Sequence, residues 1–162
     1  MALQCDWFVL CERVIEDTQS GNLTLVNCLD QIQAWSVPST MPGFAIAARF
    51  TRDGAEDNED GTYEFRLIRK SEIGGEDIVM PIGAELGPGN SVLRVFVNFA
   101  VIRLFREETI KFRLDFRKVG QRWRHGPSVP LRVTLQPLEY RQNMAEEIQR
   151  VRQELLEVND KE

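Results

Sequence analysis

The sequence predicts a mostly β protein: an antiparallel β-sandwich of about eight strands, followed by one C-terminal amphipathic α-helix. Apolar and polar residues alternate through much of residues 1–136, and the short runs end at Gly, Asn, Asp or Pro. After Pro137 this alternation is replaced by a helical period that continues to Val158 without Gly or Pro. We therefore divide the chain into a sandwich domain over residues 1–137 and a helix with its tail over residues 138–162.

Alternation and turn residues predict the individual strands. In the clearest, residues 109–117, the even-numbered positions are apolar and the odd-numbered positions from Lys111 to Arg117 are charged. Residues 92–104 are apolar on both faces, which predicts a central or doubly covered strand. Gly21-Asn22 predicts a hairpin turn. The predicted strands are residues 6–15, 23–28, 43–52, 62–70, 77–82, 92–104, 109–117 and 130–136, with a further short one near 122–124.

Proline and glycine mark two connections between the predicted strands. Residues 34–43 contain Pro38 and Pro42, and residues 83–89 contain Gly87-Pro88-Gly89. Both residue types interrupt regular strand pairing. No helix is predicted between strands, so the sheets are expected to be antiparallel.

The composition is that of one ordinary domain. Of 162 residues, 43% are hydrophobic and 28% are charged. A chain of this length buries roughly 70% of its unfolded surface, so its core needs no metal or disulfide. The 25 acidic and 20 basic residues give a net charge of −5, which argues against a dedicated binder of nucleic acid or of an anionic membrane. No cofactor is implied.

The N-terminal residues and the cysteines predict a cytoplasmic protein. Residues 1–6 lack the basic start and continuous apolar run of a secretory signal, and no stretch approaches the roughly 18 apolar residues of a membrane span. Cys5, Cys11 and Cys28 are an odd set without a C-x-x-C pair. We expect them to be free thiols that serve as small apolar residues in strands.

An acidic segment lies between two predicted strands. Residues 53–60 contain five carboxylates, and clustered oxygen ligands suit calcium. A calcium-binding helix-loop-helix starting at Glu56 would need Glu at its twelfth position, where the chain has Leu67. The better interpretation is a solvated loop extended by self-repulsion, with no metal, and a looser calcium site is the alternative.

Basic residues concentrate in the predicted strands and turns of residues 103–132, where nine Lys or Arg face three acids. Within this region Arg122, Trp123 and Arg124 form a candidate second surface that offers cations and a stacking ring to a nucleotide or acidic peptide. In the alternative interpretation the charged residues pair across the sheet, and Trp123 covers the edge of the core.

The sequence gives little basis for catalysis. His125 is the single histidine, and it lies in a loop without a nucleophile motif. No phosphate loop, dinucleotide fingerprint or pair of histidines on a helix is present. We therefore predict that the protein is not an enzyme. An enzyme that uses His125 is the minority hypothesis.

The C-terminal helix carries the clearest signal for interaction. Its apolar residues recur at spacings of 4, 3, 4 and 3, which is the narrow seam of helices that pair with each other. We expect self-association or binding of another protein through this seam. The alternatives are that it docks on the sheets of its own chain or is reserved for a different partner. The predicted contact residues are Met144, Ile148, Val151, Leu155 and Val158.

Three segments near the N-terminus have a sequence that resembles that of a known family. They are Leu10-Cys11-Glu12-Arg13-Val14, the run from Gly21 to Asp30, and Met41-Pro42-Gly43-Phe44. In these segments the chain resembles an uncharacterised family of small bacterial proteins, mainly over the first 50 residues. The resemblance implies a β-sandwich-like domain of bacterial or phage origin, and it implies no activity, cofactor, substrate or site residue.

These observations favour a non-enzymatic protein-binding or assembly module that acts through its C-terminal helix. The alternative, from a different class, is a ligand-binding sandwich that recognises a nucleotide, a sugar or a calcium ion at its loops.

Overall fold

The computed structural model describes residues 3–52, 61–72, 75–87 and 90–159. Over these residues it has eleven strands and one helix. The strands are β1 (Leu3–Glu16), β2 (Leu23–Cys28), β3 (Gln31–Ala34), β4 (Ser39–Pro42), β5 (Ala45–Arg52), β6 (Gly61–Ser71), β7 (Gly75–Leu86), β8 (Val92–Asn98), β9 (Val101–Leu104), β10 (Glu108–Lys118) and β11 (Ser128–Leu135), and the helix is α1 (Leu138–Asn159).

The strands form three sheets. One has four strands in the order β2-β1-β5-β8, one has five in the order β3-β11-β10-β6-β7, and β4 pairs with β9 alone. The prediction of a mostly β protein with one C-terminal helix is confirmed. The count of eight strands is too low. The antiparallel expectation holds for every described pairing except β3 with β11, which is parallel.

The core joins the two larger sheets. The ring of Phe50 on β5 lies 5.1 Å from that of Phe65 on β6 and 5.2 Å from that of Phe116 on β10. All three side chains are buried, and burial of each contributes about 1.5–3 kcal/mol to stability. The alternation predicted for β10 is present, with one departure: Asp115, on the face expected to be wet, is fully buried.

The segment predicted as one strand over residues 92–104 is two strands in different sheets. β8 pairs with β5, and β9 pairs with β4. Between them Phe99 donates its backbone N–H to Phe44 O at 2.8 Å, and a Cβ on Gly43 would lie 1.4 Å from Phe99 O. β8 is also an edge strand rather than a central one. The strand buried on both faces is β5, between β1 and β8.

Two predicted connections contain strands. β4 lies within residues 34–43, where the Val37-Pro38 peptide bond is cis, and the last four residues of β7 lie within residues 83–89. β3 was not predicted at all. It is four residues long and holds one large apolar side chain, Ile32, so its own pattern is too short to indicate a strand.

The N-terminal hairpin is confirmed. β1 and β2 pair in antiparallel register, and Gly21 has a φ of 64° in the turn. The three cysteines are free. Cys11 is buried and Cys5 is half-buried, as expected for small apolar strand residues, but Cys28 is exposed.

The helix α1 follows β11 after a break at Pro137. Arg141 N donates to Pro137 O at 3.1 Å in the first turn, and the Tyr140 ring stacks on Trp35 with centroids 5.5 Å apart. The start of the helix is thereby attached to the segment after β3. No helix in the described part of the chain is long and apolar enough to cross a membrane.

Candidate functional site

The predicted seam of α1 lies on the surface. Met144, Ile148 and Val151 have exposed fractions of 36%, 62% and 43%. These three side chains are therefore not buried against the sheets of their own chain. The side chains of Leu155 and Val158 lie outside the described residues, although their backbone belongs to α1.

Two charged residues border this seam. Glu147 and Arg152 flank a shallow apolar depression formed with Ile148 and Val151. Glu147 also accepts a hydrogen bond from Arg150, three residues further along the helix. The apolar strip is thus narrow, with an acid on one border and a base on the other.

The candidate surface formed by Arg122, Trp123 and Arg124 is divided by the structure. Arg124 pairs with Phe116 through two backbone hydrogen bonds of 2.9 and 3.1 Å, and its guanidinium lies 5.3 Å from the Phe116 ring. This pairing is a single bridge where a short strand was predicted. Arg122 is exposed, and Trp123 lies against other arginines. Trp123 and Arg124 therefore lie against different residues, and the shared binding surface of the three stays a prediction.

Trp123 lies over two arginines that the sequence did not single out. The guanidinium carbons of Arg66 and Arg117 are each 4.5 Å from the centre of its ring. These residues border a cavity of about 610 Å³ on the outer face of the five-stranded sheet, which we name the Trp123 cavity. Its lining includes Glu64, Arg66, Pro81, Gly83, Arg117 and Trp123.

Strand register explains why these side chains meet. On β6, Glu64 is opposite Gly83 of β7 and Arg117 of β10. Arg66, two residues along β6, is opposite Pro81 and Asp115. Alternate residues of neighbouring strands share one face of a sheet, so the register places these residues together. The turn after β10 then brings Trp123 over them.

The buried side chain of Asp115 holds the arginine side chains of this cluster in place. Its carboxylate accepts hydrogen bonds from Arg113 Nε at 2.8 Å and from Arg66 Nε and Nη2 at 3.2 and 3.0 Å, while His125 Nδ1 lies at 3.3 Å. Burial acts to raise the pKa of Asp115, but the hydrogen bonds from Arg113, Arg66 and His125 outweigh burial and hold it below its usual value. Asp115 is therefore a carboxylate at neutral pH.

Arg117, the second arginine against Trp123, is fixed in a similar way. Its Nε donates to Glu64 Oε2 at 2.6 Å. The side chains of Arg117 and Glu64 are 33% and 39% exposed, so this pair is nearer to solvent than Asp115. The sequence pattern marked Arg117 only as a charged position of an alternating strand, and it did not single out Arg66. No local signal identifies them, because their proximity depends on the pairing of β6 with β10.

His125 lies beside a second depression, which also includes Cys5 and Arg124. A thiol, an imidazole and a carboxylate near one another raise the question of a nucleophilic cysteine. Cys5 Sγ donates instead to Trp7 O at 3.2 Å, and burial, with a contribution from Asp6, raises the pKa of the thiol to about 11. A reactive cysteine needs a lowered pKa, so this arrangement does not activate Cys5.

The described residues contain no group of three or more His, Cys, Asp or Glu side chains placed to hold a metal ion. The acidic residues 53–60, for which a calcium site was the alternative interpretation, lie outside the described residues.

The fold and the site define a mostly β protein with a cavity bordered by two arginines on one sheet and an exposed apolar seam on a C-terminal helix. The chain belongs to DUF6941, a family of unknown function whose model matches residues 6–124. The resemblance to an uncharacterised family is thus confirmed, and the match extends well beyond the first 50 residues. No curated protein matches the chain.

Proposed function

We propose that the protein is a non-enzymatic assembly module that pairs with a second copy of itself through α1. The observation that supports this is the exposure of Met144, Ile148 and Val151 on consecutive turns of one helix face. Contiguous apolar residues on a surface favour association, because contact removes them from water. In the sequence, Leu155 and Val158 continue the same spacing.

The charges beside the seam favour a second copy in parallel orientation. In heptad positions Ile148 is a, Met144 and Val151 are d, Glu147 is g and Arg152 is e. In a parallel pair each g residue faces the e residue of the next heptad, so Glu147 of each copy would face Arg152 of the other. An antiparallel pair would place like charges together. Each copy of the chain thus carries the charges that would pair with those of a second copy in parallel orientation.

The proposed pairing is weak and depends on concentration. The seam spans little more than two heptads, while stable coiled coils usually sustain three or four. The contacts must also offset the translational and rotational entropy that two molecules lose on association, which costs about 4–15 kcal/mol. We infer that contacts between the β domains, each interpreted as a sandwich around Phe50, Phe65 and Phe116, assist the helices. The proposed setting is the reducing cytoplasm of a bacterium or of a phage host, which is consistent with three free cysteines.

Sedimentation equilibrium of the Ile148→Asp/Val151→Asp variant tests the proposal. Each change places a charge in the seam, so we expect the wild-type oligomer to become a monomer while circular dichroism of the strands is retained. The matched control, Gln149→Asp/Gln153→Asp, adds the same charge to exposed positions outside the seam and should keep the wild-type mass. A wild-type monomer at high concentration, or an unchanged mass for the seam variant, contradicts the proposal.

A second candidate function is ligand binding, the alternative that the sequence left open. The specific observation in its favour is the Trp123 cavity, where two arginines and an indole ring border one space. The chemistry of this cavity does not involve α1.

A further inference from the structure

We propose that the Trp123 cavity binds a small organic oxyanion, in which a carboxylate or phosphate group is attached to a planar ring. This inference goes beyond assembly through α1 and does not depend on it. It rests on the size of the cavity, on the arginine N–H groups that border it, and on the flat apolar surface beside them.

The size and position of the cavity suit a small molecule. Its volume of about 610 Å³ lies within the range of roughly 300–1,000 Å³ that is common for ligand sites. The floor is regular sheet, formed by β6 with its neighbours β7 and β10. Among the described residues, Trp123 is the one lining residue that comes from a loop. Most of the lining is therefore held in place before any ligand arrives.

Two guanidinium groups provide hydrogen-bond donors at the border. Arg117 uses Nε for Glu64, and Arg66 uses Nε and Nη2 for Asp115. Among the described residues neither arginine has another hydrogen-bond acceptor, so both Nη groups of Arg117 and Nη1 of Arg66 remain for a ligand. The planar fork of Arg117 matches the two oxygens of a carboxylate or phosphate.

The two arginines are also held before a ligand binds. Each guanidinium is fixed by a carboxylate and by the face of Trp123, at 4.5 Å from the ring centre. A ligand therefore does not have to order a long flexible side chain, which favours affinity. Glu64 pairs with Arg117, and Asp115 is shared by Arg66 and Arg113, so three arginines face two carboxylates and the site suits one negative group rather than a polyphosphate.

The remaining lining suits a ring. Trp123 adds aromatic surface to the lining, and Pro81 adds apolar surface on β7. At Gly83 an added Cβ would meet no atom within 4 Å, so open space lies directly above this strand. A planar group between Trp123 and this glycine would place an attached oxyanion near Arg117.

Isothermal titration of the full chain with four probes tests the inference. Indole-3-acetate and adenosine monophosphate carry both a ring and an oxyanion, whereas inorganic phosphate and adenosine carry one part each. We expect at least one of the first two to bind at least tenfold more tightly than either part alone. Their relative affinities decide between carboxylate and phosphate. Failure of both ring-bearing anions to bind at millimolar concentration overturns the proposal.

Two variants locate the binding. Arg117→Gln removes the donor fork, and Gly83→Val fills the open space with a residue that suits a strand. Each should weaken binding at least tenfold. Arg124→Gln, beside the other depression, is the matched control and should bind as the wild type does. The melting temperature of each variant without ligand shows that it is folded. If Arg117→Gln and Gly83→Val both bind with wild-type affinity, the site is not in this cavity and the proposal is wrong.

Discussion

Asp115 on β10 and Arg66 on β6 lie directly opposite each other in the five-stranded sheet, and the guanidinium donates twice to one carboxylate oxygen. Asp115 is fully buried, whereas the side chain of Arg66 is 25% exposed. The ion pair therefore connects a fully buried carboxylate to a guanidinium that is partly in contact with solvent. It fixes one of the two arginines beneath Trp123.

Replacing Asp115 should destabilise the protein strongly. Asp115→Asn removes the charge that Arg66 and Arg113 share, and breaking a buried ion pair costs about 3–5 kcal/mol. We expect a somewhat smaller loss of about 2–4 kcal/mol, because both arginines keep partial contact with water. The loss is measured as the difference in the free energy of unfolding in urea between wild type and variant. Glu64→Gln, which breaks the more exposed pair with Arg117, should cost less than about 1 kcal/mol.

Acid should remove the contribution of Asp115. Its pKa is lower in the folded than in the unfolded chain, so the unfolded state binds more protons as the pH falls below the ordinary aspartate value of about 3.9. The stabilisation is complete above that value and disappears as the pH falls through the folded pKa. The difference in unfolding free energy between wild type and Asp115→Asn should be constant from about pH 7 to 5 and shrink toward pH 3. A constant difference down to pH 3 contradicts this assignment.

Gly43 should tolerate no side chain. A Cβ there would lie 1.4 Å from Phe99 O, so Gly43→Ala must displace the backbone between β8 and β9. We expect a loss of about 2–3 kcal/mol or more in urea unfolding. Gly83→Ala, where the added atom meets open space, is the control and should change stability by less than about 1 kcal/mol. Equal stability of the two variants would be the contrary result.

Trp35 should hold the first turn of α1. Its ring stacks on Tyr140, and aromatic pairs contribute about 0.5–1.5 kcal/mol beyond their burial. Trp35→Ala should lower the helical circular dichroism and increase amide hydrogen exchange in the first turn of the helix. Tyr140→Phe keeps the ring and should behave as the wild type. Unchanged exchange in Trp35→Ala would show that the stack does not anchor the helix.

The three thiols should differ in reactivity. Cys28 is exposed, Cys11 is buried, and with a pKa of about 11 only about one Cys5 thiol in a thousand is ionised at pH 8. A chromogenic disulfide reagent should therefore modify one thiol rapidly in the folded protein and three in denaturant. Cys28→Ser should abolish the rapid phase. Rapid modification of two or more thiols in the folded wild type would be inconsistent with the structure.

Local patterns predicted the elements whose signals are contained within a few residues. The alternation in β10, the Gly21 turn and the spacing in α1 each depend on nearby residues, and all three are present in the structure. The break between β8 and β9 was missed because β8 pairs with β5 and β9 pairs with β4, and these partners come from a distant part of the chain. A continuous apolar run in the sequence does not show where one strand ends and the next strand, in a different sheet, begins.

The candidate cavity was predicted only in part. Trp123 was recognised because an aromatic residue between two arginines is visible in the sequence. Its actual partners, Arg66 and Arg117, come from two strands whose register cannot be obtained from either strand alone. Its sequence neighbour Arg124 lies instead against the Phe116 ring.

The parallel pairing of β3 with β11 has a consequence for synthesis of the protein. Thr134 Oγ1 donates to Ile32 O at 3.4 Å, which connects positions 102 residues apart. While the ribosome is still producing the chain, β3 has emerged but its neighbour has not. Contacts of such long range form late and slowly. We expect the nascent chain to complete this sheet only after β11 has left the ribosome, so β3 lacks its neighbouring strand until then.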